Sequence, residues 1–314
     1  MTGAVLRLGT RRSPMAVAQS QLVGRALTRA TGLQIELVGI DSAGDASREL
    51  LTQIGGTGVF VSSLRTSLLA GEVDIAVHSL KDLPTAPAAG ITLAAVPTRD
   101  DPRDALAARD AAKLADLRPG ALIGTGSPRR AAQLLMLRPD VRPVPVRGNA
   151  GTRLAKMESG ELDAVVLAQA GLARIGRLDA VSQVFDPDEM LPDPGQGALA
   201  VECSTGREDL VALLASIDDA VSRAATTAER TLLGDLEAGC GAPVGAYAAG
   251  TDVLRLRAVV VAADGAKALR GSASGSLSEA ELIGRQVAAD LLSRGAGSYM
   301  AVSGGHLSSG DDDK

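Results

Sequence analysis

The sequence has 314 residues, 46% of them hydrophobic and 22% charged, and its formal net charge is −5 at pH 7. This length exceeds what a single hydrophobic core usually supports, so we expect two or three domains. The negative charge and the scarcity of aromatic residues (two Phe, two Tyr, no Trp) exclude a general affinity for nucleic acid or for an anionic membrane surface. No apolar signal segment or membrane-spanning run is recognisable, and the two cysteines are expected to be free thiols in a reducing cytoplasm.

The first part of the chain alternates short strands with helices, which is typical of an α/β domain. Predicted strands span residues 5–8, 33–40, 74–77 and 91–96, and predicted helices span residues 14–30 and 59–70. Ser13 is a suitable N-cap for the first helix, and Pro14 suits its first position. Residues 100–104, which contain adjacent aspartates and a proline, are predicted to cross into a second domain.

The rest of the chain repeats this alternation and then changes character. Predicted strands span residues 121–124, 144–146 and 164–167, and predicted helices end at 137 and span 151–158. Residues 193–200 lead into a strand through Val201 that returns the chain to the first domain. A helix over 218–236, strands over 245–249, 254–262 and 268–274, and a helix over 279–293 then indicate an α+β unit. The predicted domains are 1–98 with 197–217, 99–196, and 218–294, followed by a disordered tail, 295–314.

Two pairs of similar segments support a repeated architecture. "GTRRSP" at 9–14 resembles "GTGSPRR" at 124–130, and "GEVDIAV" at 71–77 resembles "GELDAVV" at 160–166. Each pair occurs in the same order within its half of the chain, although chance similarity of short Gly- and Ala-rich segments is the alternative. We therefore predict two α/β domains of similar topology that face a shared cleft.

A polar loop follows the buried strand at 74–77. Open α/β sheets bind their ligands outside the carboxyl ends of strands, and this loop places Lys81 beside Asp82 before Pro84. A solvated surface turn is the alternative for the loop as a whole. For Asp82 the alternatives are a salt bridge to Lys81 or an arginine, and a carboxylate that contacts a cationic or N–H group of a ligand. His78 is expected to be structural and to hydrogen-bond the loop.

Basic residues are concentrated at the predicted cleft. They are Arg11, Arg12, Lys81, Arg129, Arg130, Arg147 and Arg153. The helix macrodipole disfavours the cations at 129 and 130 in a first helical turn, so a bound anion is the expected compensation. Helix N-termini capped by Ser13 and Ser127 add N–H donors. Neither a Walker loop nor GxGxxG is present, which favours a ligand with several carboxylates over a phosphate.

The 27 arginines and 5 lysines suit bidentate recognition of carboxylates, with a coding bias as the alternative. Cys240 lies between two glycines in a loop, which favours a reactive or modified thiol because the glycines allow close approach to the sulfur. With only two histidines and no Cys-rich spacing, we expect no metal site.

Six motifs in order resemble the porphobilinogen deaminase family, also called hydroxymethylbilane synthases. They are "GTRRSPMA", "VHSLKDLP", "GTGSPRR", "VRGNAGTRL", "PGQGALA" and "LEAGCGAPVG", and they extend from residue 9 to residue 245. The resemblance implies two similar α/β domains, like those of periplasmic binding proteins, flanking a cleft, with a smaller C-terminal α+β domain. It also implies a dipyrromethane cofactor bound covalently to Cys240 through a thioether.

The implied activity is a transferase of porphyrin, tetrapyrrole and heme biosynthesis. It would polymerise four porphobilinogen molecules head to tail, release ammonia at each addition, and free a linear tetrapyrrole with water. Asp82 resembles the family's catalytic aspartate, which stabilises positive charge on the ring. Implied cofactor-binding residues are Cys240, Ser13, Ser79, Lys81, Thr125, Ser127, Arg129, Arg130, Arg147 and Gly148. Implied substrate-binding residues are Phe60, Arg11, Arg12, Arg147, Asn149, Arg153, Arg174 and Gln196.

Two positions depart from the family pattern. Thr57 stands where many relatives carry Lys, and Gly241 follows the cysteine where others often have Gln. The alternative function is a two-domain anion-binding protein or effector-binding module without a covalent cofactor. We expect a cytoplasmic monomer whose small-molecule partner is porphobilinogen, with no nucleic-acid or membrane partner.

Overall fold

The structure, a computed structural model, describes residues 5–41, 59–239 and 241–300, and it describes only the backbone of residues 59 and 60. The strands are β1 (Val5–Arg11), β2 (Gln34–Ile40), β3 (Ile75–Ser79), β4 (Ile91–Ala95), β5 (Asp104–Ala108), β6 (Leu122–Gly124), β7 (Arg142–Val144), β8 (Ala164–Ala168), β9 (Gln183–Val184), β10 (Leu199–Ser204), β11 (Val244–Ala249), β12 (Leu254–Val261) and β13 (Ala268–Gly275). The helices are α1 (Pro14–Thr31), α2 (Val59–Leu69), α3 (Pro128–Leu137), α4 (Ala150–Glu158), α5 (Gln169–Arg174), α6 (Glu208–Leu214), α7 (Ala220–Asp235), α8 (Ala280–Ser293) and α9 (Gly297–Met300).

Two five-stranded sheets have the same topology. The first has the order β2-β1-β3-β10-β4 and the second has the order β7-β6-β8-β5-β9. In each sheet the first three strands are mutually parallel, and the fourth is antiparallel to both of its neighbours. The two α/β units of similar topology that the repeated segments predict are therefore confirmed. The predicted domain boundaries themselves stay a prediction.

The chain crosses between these sheets twice. It passes from β4 to β5 and later from β9 to β10, so β10 joins the first sheet after the second has been built. The two crossing segments touch, because the Asp100 amide donates to the Gly197 carbonyl over 3.3 Å. Gly197 has φ +87°, and a Cβ there would lie 2.5 Å from the Asp100 oxygen. Only glycine fits such a contact without displacing the backbone.

A third, antiparallel sheet, β11-β12-β13, forms the C-terminal unit with α7 and α8. Its core is aliphatic: Leu232 of α7, Leu256 of β12 and Leu291 of α8 are fully buried. Tyr299 and Met300 pack against this core, so the first part of the segment predicted to be disordered forms the short helix α9 instead. No helix in the described part of the chain combines the length and apolarity that a membrane span requires.

Several elements differ from the sequence predictions. The strand predicted at 144–146 lies at 142–144, where the Arg142 amide donates to the Ala121 carbonyl and the Val144 carbonyl accepts from the Thr125 amide. Strand β3 continues through Ser79, two residues beyond the predicted end. The sequence prediction missed β5, β9, α5 and α6; β5 reads Asp-Ala-Leu-Ala-Ala, and alanine has a low strand propensity.

The histidine at the end of β3 belongs to a buried ionic cluster inside the first sheet. Glu202 of β10 accepts hydrogen bonds from Arg65 over 2.9 and 2.6 Å, and His78 Nε2 lies 3.3 Å from the same carboxylate. His78 is therefore structural, but it contacts β10 and not the loop that we expected. Burial alone would raise the pKa of Glu202, but Arg65 and His78 outweigh it and lower the pKa to about 2.

This depressed pKa predicts a pH-dependent contribution to stability. Glu202 stabilises the fold above its unfolded pKa of 4.5, and this contribution is lost as the pH falls towards 2. The shift corresponds to about 3 kcal/mol at neutral pH. The free energy of unfolding of Glu202→Gln should therefore lie well below that of the unsubstituted protein at about pH 6, and the gap should narrow at about pH 3. Urea titrations at both pH values measure this difference in the free energy of unfolding. A difference that does not depend on pH would contradict the lowered pKa of Glu202.

Candidate active site

The polar loop after β3 is a short 3₁₀ turn, Leu80–Asp82. Leu80 and Leu83 are buried and anchor the turn in the core, while Lys81 and Asp82 stay partly exposed. Leu83 is extended, as expected before Pro84. The turn therefore presents a cation and a carboxylate from a rigid base at the end of a buried strand.

Asp82 has no hydrogen-bond or ion-pair partner within the described ranges. Withdrawal of its carboxylate from bulk water raises its pKa above the ordinary value, and Asp193 acts in the same direction. The positive charges of Lys81 and Arg11 oppose that rise, without a close contact to the carboxylate. The structure thus offers no support for the salt-bridge alternative.

A second carboxylate, Asp104, lies inside the basic cluster, so Asp82 is not its only acid. Asp104 is fully buried and accepts from Arg129 Nη1 over 2.7 Å, Arg130 Nη2 over 2.7 Å and Gln196 Nε2 over 2.8 Å. Burial alone would raise the pKa of Asp104, but the two guanidinium groups hold it far below the usual range. The anion that we expected to compensate both arginines is therefore supplied at least in part by the protein itself.

Arg129 and Arg130 differ in how many of their hydrogen-bond donors remain available to a ligand. Arg129 is buried and donates Nη1 to the Leu191 carbonyl as well, but its Nε and Nη2 have no hydrogen-bond partner among the described residues. Arg130 also donates to the Val166 carbonyl and to Gln196 Oε1, over 3.0 and 3.3 Å. Unpartnered buried donors are costly, and carboxylate oxygens would satisfy those of Arg129.

Gln196 connects a residue that follows the first sheet with residues of the second unit. Its Oε1 accepts from Lys81 Nζ over 3.2 Å and from Arg130 over 3.3 Å. Its Nε2 donates to Asp104 and to the Pro102 carbonyl, each over 2.8 Å. The residue is fully buried, and it brings Lys81 of the first sheet beside Arg130 of the second. Burial and the nearby Arg130 lower the pKa of Lys81, whereas Asp193 opposes that shift.

The loop between β7 and α4 contains a tight turn at Gly148. Gly148 has φ +96°, and a Cβ there would lie 2.7 Å from Thr152. Asn149 caps α4 by accepting from the Thr152 amide over 2.9 Å. Arg153 donates to the Gly148 carbonyl over 2.9 Å but pairs with no carboxylate in the described chain. Burial, followed by repulsion from Arg130, lowers the pKa of Arg153, and a bound anion would relieve both effects.

The two predicted helix caps are present. Ser13 accepts from the Ala16 amide over 3.3 Å at the start of α1, and Ser127 accepts from the Arg130 amide over 3.4 Å at the start of α3. Thr125 is buried and accepts from the Ser127 amide over 3.2 Å. Both helices therefore begin with a serine cap followed by a proline, as their similar sequences predict.

The other candidate residues differ in whether they lie near the cluster around Gln196. Arg12 pairs with the exposed Asp41 over 2.6 Å, and Arg174 binds Asp100 and the Gly197 carbonyl at the crossing segments, so neither contacts the cluster around Gln196 within the described residues. The remaining candidates are Arg11 near Asp82, Ser79 at the end of β3, and the partly exposed Arg147. Cys240, the side chain of Phe60 and the loop at 55–58 lie outside the described residues.

Among the residues that the structure describes, the arrangement combines several cations with one carboxylate that has no close partner. It suits a ligand with several carboxylates and a reacting centre that becomes positively charged. The unpartnered donors of Arg129 and the uncompensated charge of Arg153 fit a resident cofactor that carries acetate and propionate groups. In the described ranges, no group of three or more His, Cys, Asp or Glu side chains could hold a metal ion.

Two family models match most of this chain. Residues 6–212 match the family model "Porphobilinogen deaminase, dipyromethane cofactor binding domain", and residues 224–293 match "Porphobilinogen deaminase, C-terminal domain". Among solved structures, a periplasmic substrate-binding protein from Coxiella burnetii matches with a TM-score of 0.42 and 13% identity, over 68% of this chain and 91% of that chain.

Curated relatives match along nearly the whole chain. The porphobilinogen deaminase of Thermobifida fusca is 60% identical over 311 residues, which cover 96% of this chain and 97% of the relative. Porphobilinogen deaminase 1 of Streptomyces coelicolor is 54% identical over 314 residues, which cover 96% and 98%. The matched family models and the identity of these relatives show that this chain belongs to the porphobilinogen deaminase family.

Proposed function

We propose that this protein joins four porphobilinogen molecules head to tail on a dipyrromethane group bound to Cys240, with Asp82 as the catalytic carboxylate. Each addition forms a carbon–carbon bond between a pyrrole ring and the aminomethyl carbon of the next porphobilinogen, and ammonia leaves. Water ends the sequence and frees hydroxymethylbilane, a linear precursor in porphyrin and heme biosynthesis. The observation that carries the proposal is Asp82, which has no ion-pair partner among the described residues and lies beside Lys81. Gln196 links Lys81 to Arg130, and Arg130 in turn lies near Arg153.

The cations would hold carboxylates of both substrate and cofactor. Porphobilinogen carries an acetate and a propionate, so the growing chain is a polyanion that needs several positive partners. Arg129 and Arg130 have buried guanidinium groups at the start of α3, and Arg147 and Arg153 lie in the neighbouring loop and helix. When bound, the dipyrromethane group supplies the terminal pyrrole to which the next unit is joined.

Asp82 would act on the substrate ring. Loss of ammonia leaves positive charge on that ring, and a carboxylate with no competing ion pair can stabilise the charge as it develops. The same carboxylate can accept hydrogen bonds from pyrrole N–H groups. Because its pKa is raised, Asp82 is also better suited to exchange a proton with the leaving amine near neutral pH.

Product analysis tests the proposed reaction. Purified protein incubated with porphobilinogen should release four ammonia molecules for each linear tetrapyrrole formed. Binding of porphobilinogen without release of ammonia would contradict the proposal and would favour the anion-binding alternative.

The substitution Arg153→Leu tests the polycarboxylate cleft. Losing one charge-assisted bond of about 1.5–3 kcal/mol should weaken binding of the growing chain roughly 10- to 100-fold. Partial-chain adducts should then accumulate in intact-mass spectra. Arg153→Lys should recover only part of the activity, because geometry matters as well as charge. The control is Arg142→Leu, which removes an exposed arginine of β7 and should leave progress curves unchanged. Unchanged curves for Arg153→Leu as well would contradict the role.

We also propose that the protein works as a cytoplasmic monomer. Cys203 is a buried free thiol, which suits a reducing compartment, and the net charge of −5 provides no general attraction to anionic polymers or surfaces. Light scattering should therefore give a mass near that of one 31.8 kDa chain. A mass twice as large would contradict the proposed state.

A further inference from the structure

Helix α7 carries two adjacent charged residues that contact chain segments outside the C-terminal sheet. Glu229 is fully buried and accepts from Arg99 Nη1 over 2.7 Å and from the Gly195 and Ala248 amides over 2.7 and 2.8 Å. It thereby ties α7 to both crossing segments. Arg230, the next residue, contacts a different part of the chain.

The guanidinium group of Arg230 holds the loop that carries Asp82. Its Nη1 donates to the carbonyls of Leu80 and Leu83 over 3.3 and 3.0 Å, and its Nη2 donates to the Pro84 carbonyl over 2.7 Å. These carbonyls lie on both sides of Asp82 in the chain. The Leu80 carbonyl also accepts from the Leu83 amide over 3.2 Å, so Arg230 adds to the hydrogen bond that closes the turn. One side chain thus fixes the backbone before and after the proposed catalytic carboxylate.

The same helix leads directly to the proposed cofactor anchor. α7 continues from Arg230 only to Asp235, about 7.5 Å at the usual rise per residue, and the chain then enters the loop that contains Cys240. The helix packs closely on the first unit here, since a Cβ on Gly234 would lie 3.6 Å from Thr85.

We propose that Arg230 is a positioning residue of the transferase. It holds the loop that carries Asp82 at a fixed position relative to the helix that leads to Cys240. This inference rests on the proposed function, because it assumes that Asp82 acts on the reacting ring. Displacement of a reacting group by a small distance lowers the rate without removing any group from the site. Loss of Arg230 should therefore slow chemistry and leave substrate binding nearly intact.

The test compares Arg230→Met with Arg223→Met. Arg223 lies on the same helix and also reaches the first sheet, where it donates to the Ala94 carbonyl over 2.9 Å, but it does not contact the Asp82 loop. Arg230→Met should lower kcat roughly 10- to 100-fold, with KM and the mass of the covalent adduct unchanged. Arg223→Met should lower the Tm by a similar amount and keep kcat. Equal kcat values for both variants would overturn the inference.

A double-mutant cycle separates positioning from general stability. If Arg230 acts through Asp82, adding Arg230→Met to Asp82→Asn should slow the enzyme little further, whereas independent effects would multiply and overturn the inference. Normal turnover by Asp82→Asn alone would overturn both the proposed role of Asp82 and this inference. A slow Asp82→Asn beside an unimpaired Arg230→Met would overturn the inference only.

A conservative variant covers the case in which Arg230→Met fails to fold. Arg230→Lys keeps a positive donor, so the protein should fold and carry its adduct. A single ammonium cannot reproduce the planar fork that reaches three carbonyls, so kcat should still fall with KM unchanged. A kcat equal to that of the unsubstituted enzyme would overturn the proposal.

Discussion

Replacing Cys240 with serine is expected to remove the covalent dipyrrole and to abolish turnover. A thioether forms from a sulfur nucleophile, and a serine hydroxyl is far too weakly acidic to replace a thiol in that reaction. The unsubstituted protein should weigh more than its sequence by one dipyrrole, and Cys240→Ser should weigh what its sequence predicts. Intact-mass spectra and a porphobilinogen turnover assay on the same samples measure both effects.

The chain provides a matched control for this experiment. Cys203 is fully buried on β10, and burial raises the pKa of its thiol, which makes it a poor nucleophile. Cys203→Ser should therefore keep the adduct and the turnover, at some cost in stability because a hydroxyl replaces a buried thiol. An unmodified Cys240 in a fully active protein would rule out the proposed anchor.

Replacing Asp82 with asparagine is expected to slow turnover by a factor on the order of 10² to 10³, the usual scale for one preorganised electrostatic group. The substitution keeps the shape of the side chain and removes the negative charge that faces the reacting ring. Asp82→Glu should keep some activity, because it keeps the charge but displaces it by one methylene. Single-turnover rates on protein that carries its covalent cofactor measure the chemical step directly.

The stability of Asp82→Asn distinguishes this role from a structural one. Because burial raises the pKa of Asp82, its ionised form is disfavoured in the folded protein relative to the unfolded chain. Removing the charge should therefore leave the Tm unchanged or slightly higher. A lower Tm combined with a normal single-turnover rate would show that Asp82 is structural and that its catalytic assignment is wrong.

Local signals predicted the repeated parts of this fold. The Ser-Pro pairs at 13–14 and 127–128 cap helices as their side-chain chemistry requires, and the similar segments around them belong to sheets of the same topology. A cap or a strand-to-loop transition depends on neighbours within a few residues, so one sequence is enough to recognise it.

The partners of the cluster were not predictable in the same way. Asp104 and Arg129 are 25 positions apart, and only the packing of β5 beside β8 and α3 brings them together. The one local sign of the Asp104 site in the sequence is an acidic residue directly before the apolar segment Ala-Leu-Ala-Ala. Arg230 resembled an ordinary solvated residue of an amphipathic helix, and Gln196 was identified only through the family resemblance. Contacts of this kind depend on tertiary structure, which the spacing of residues does not encode.

The position of β10 has a consequence for synthesis on the ribosome. β10 lies between β3 and the edge strand β4 of the first sheet, although it follows the whole second sheet in the chain. The amino-terminal strands therefore emerge with an incomplete sheet, while every strand of the second sheet, β5 to β9, is already available before β10 leaves the exit tunnel. The second unit can close first, and the first unit acquires its missing strand only after residues 199–204 have emerged. We therefore expect the order in which the two units complete their sheets to be the reverse of the order in which they begin.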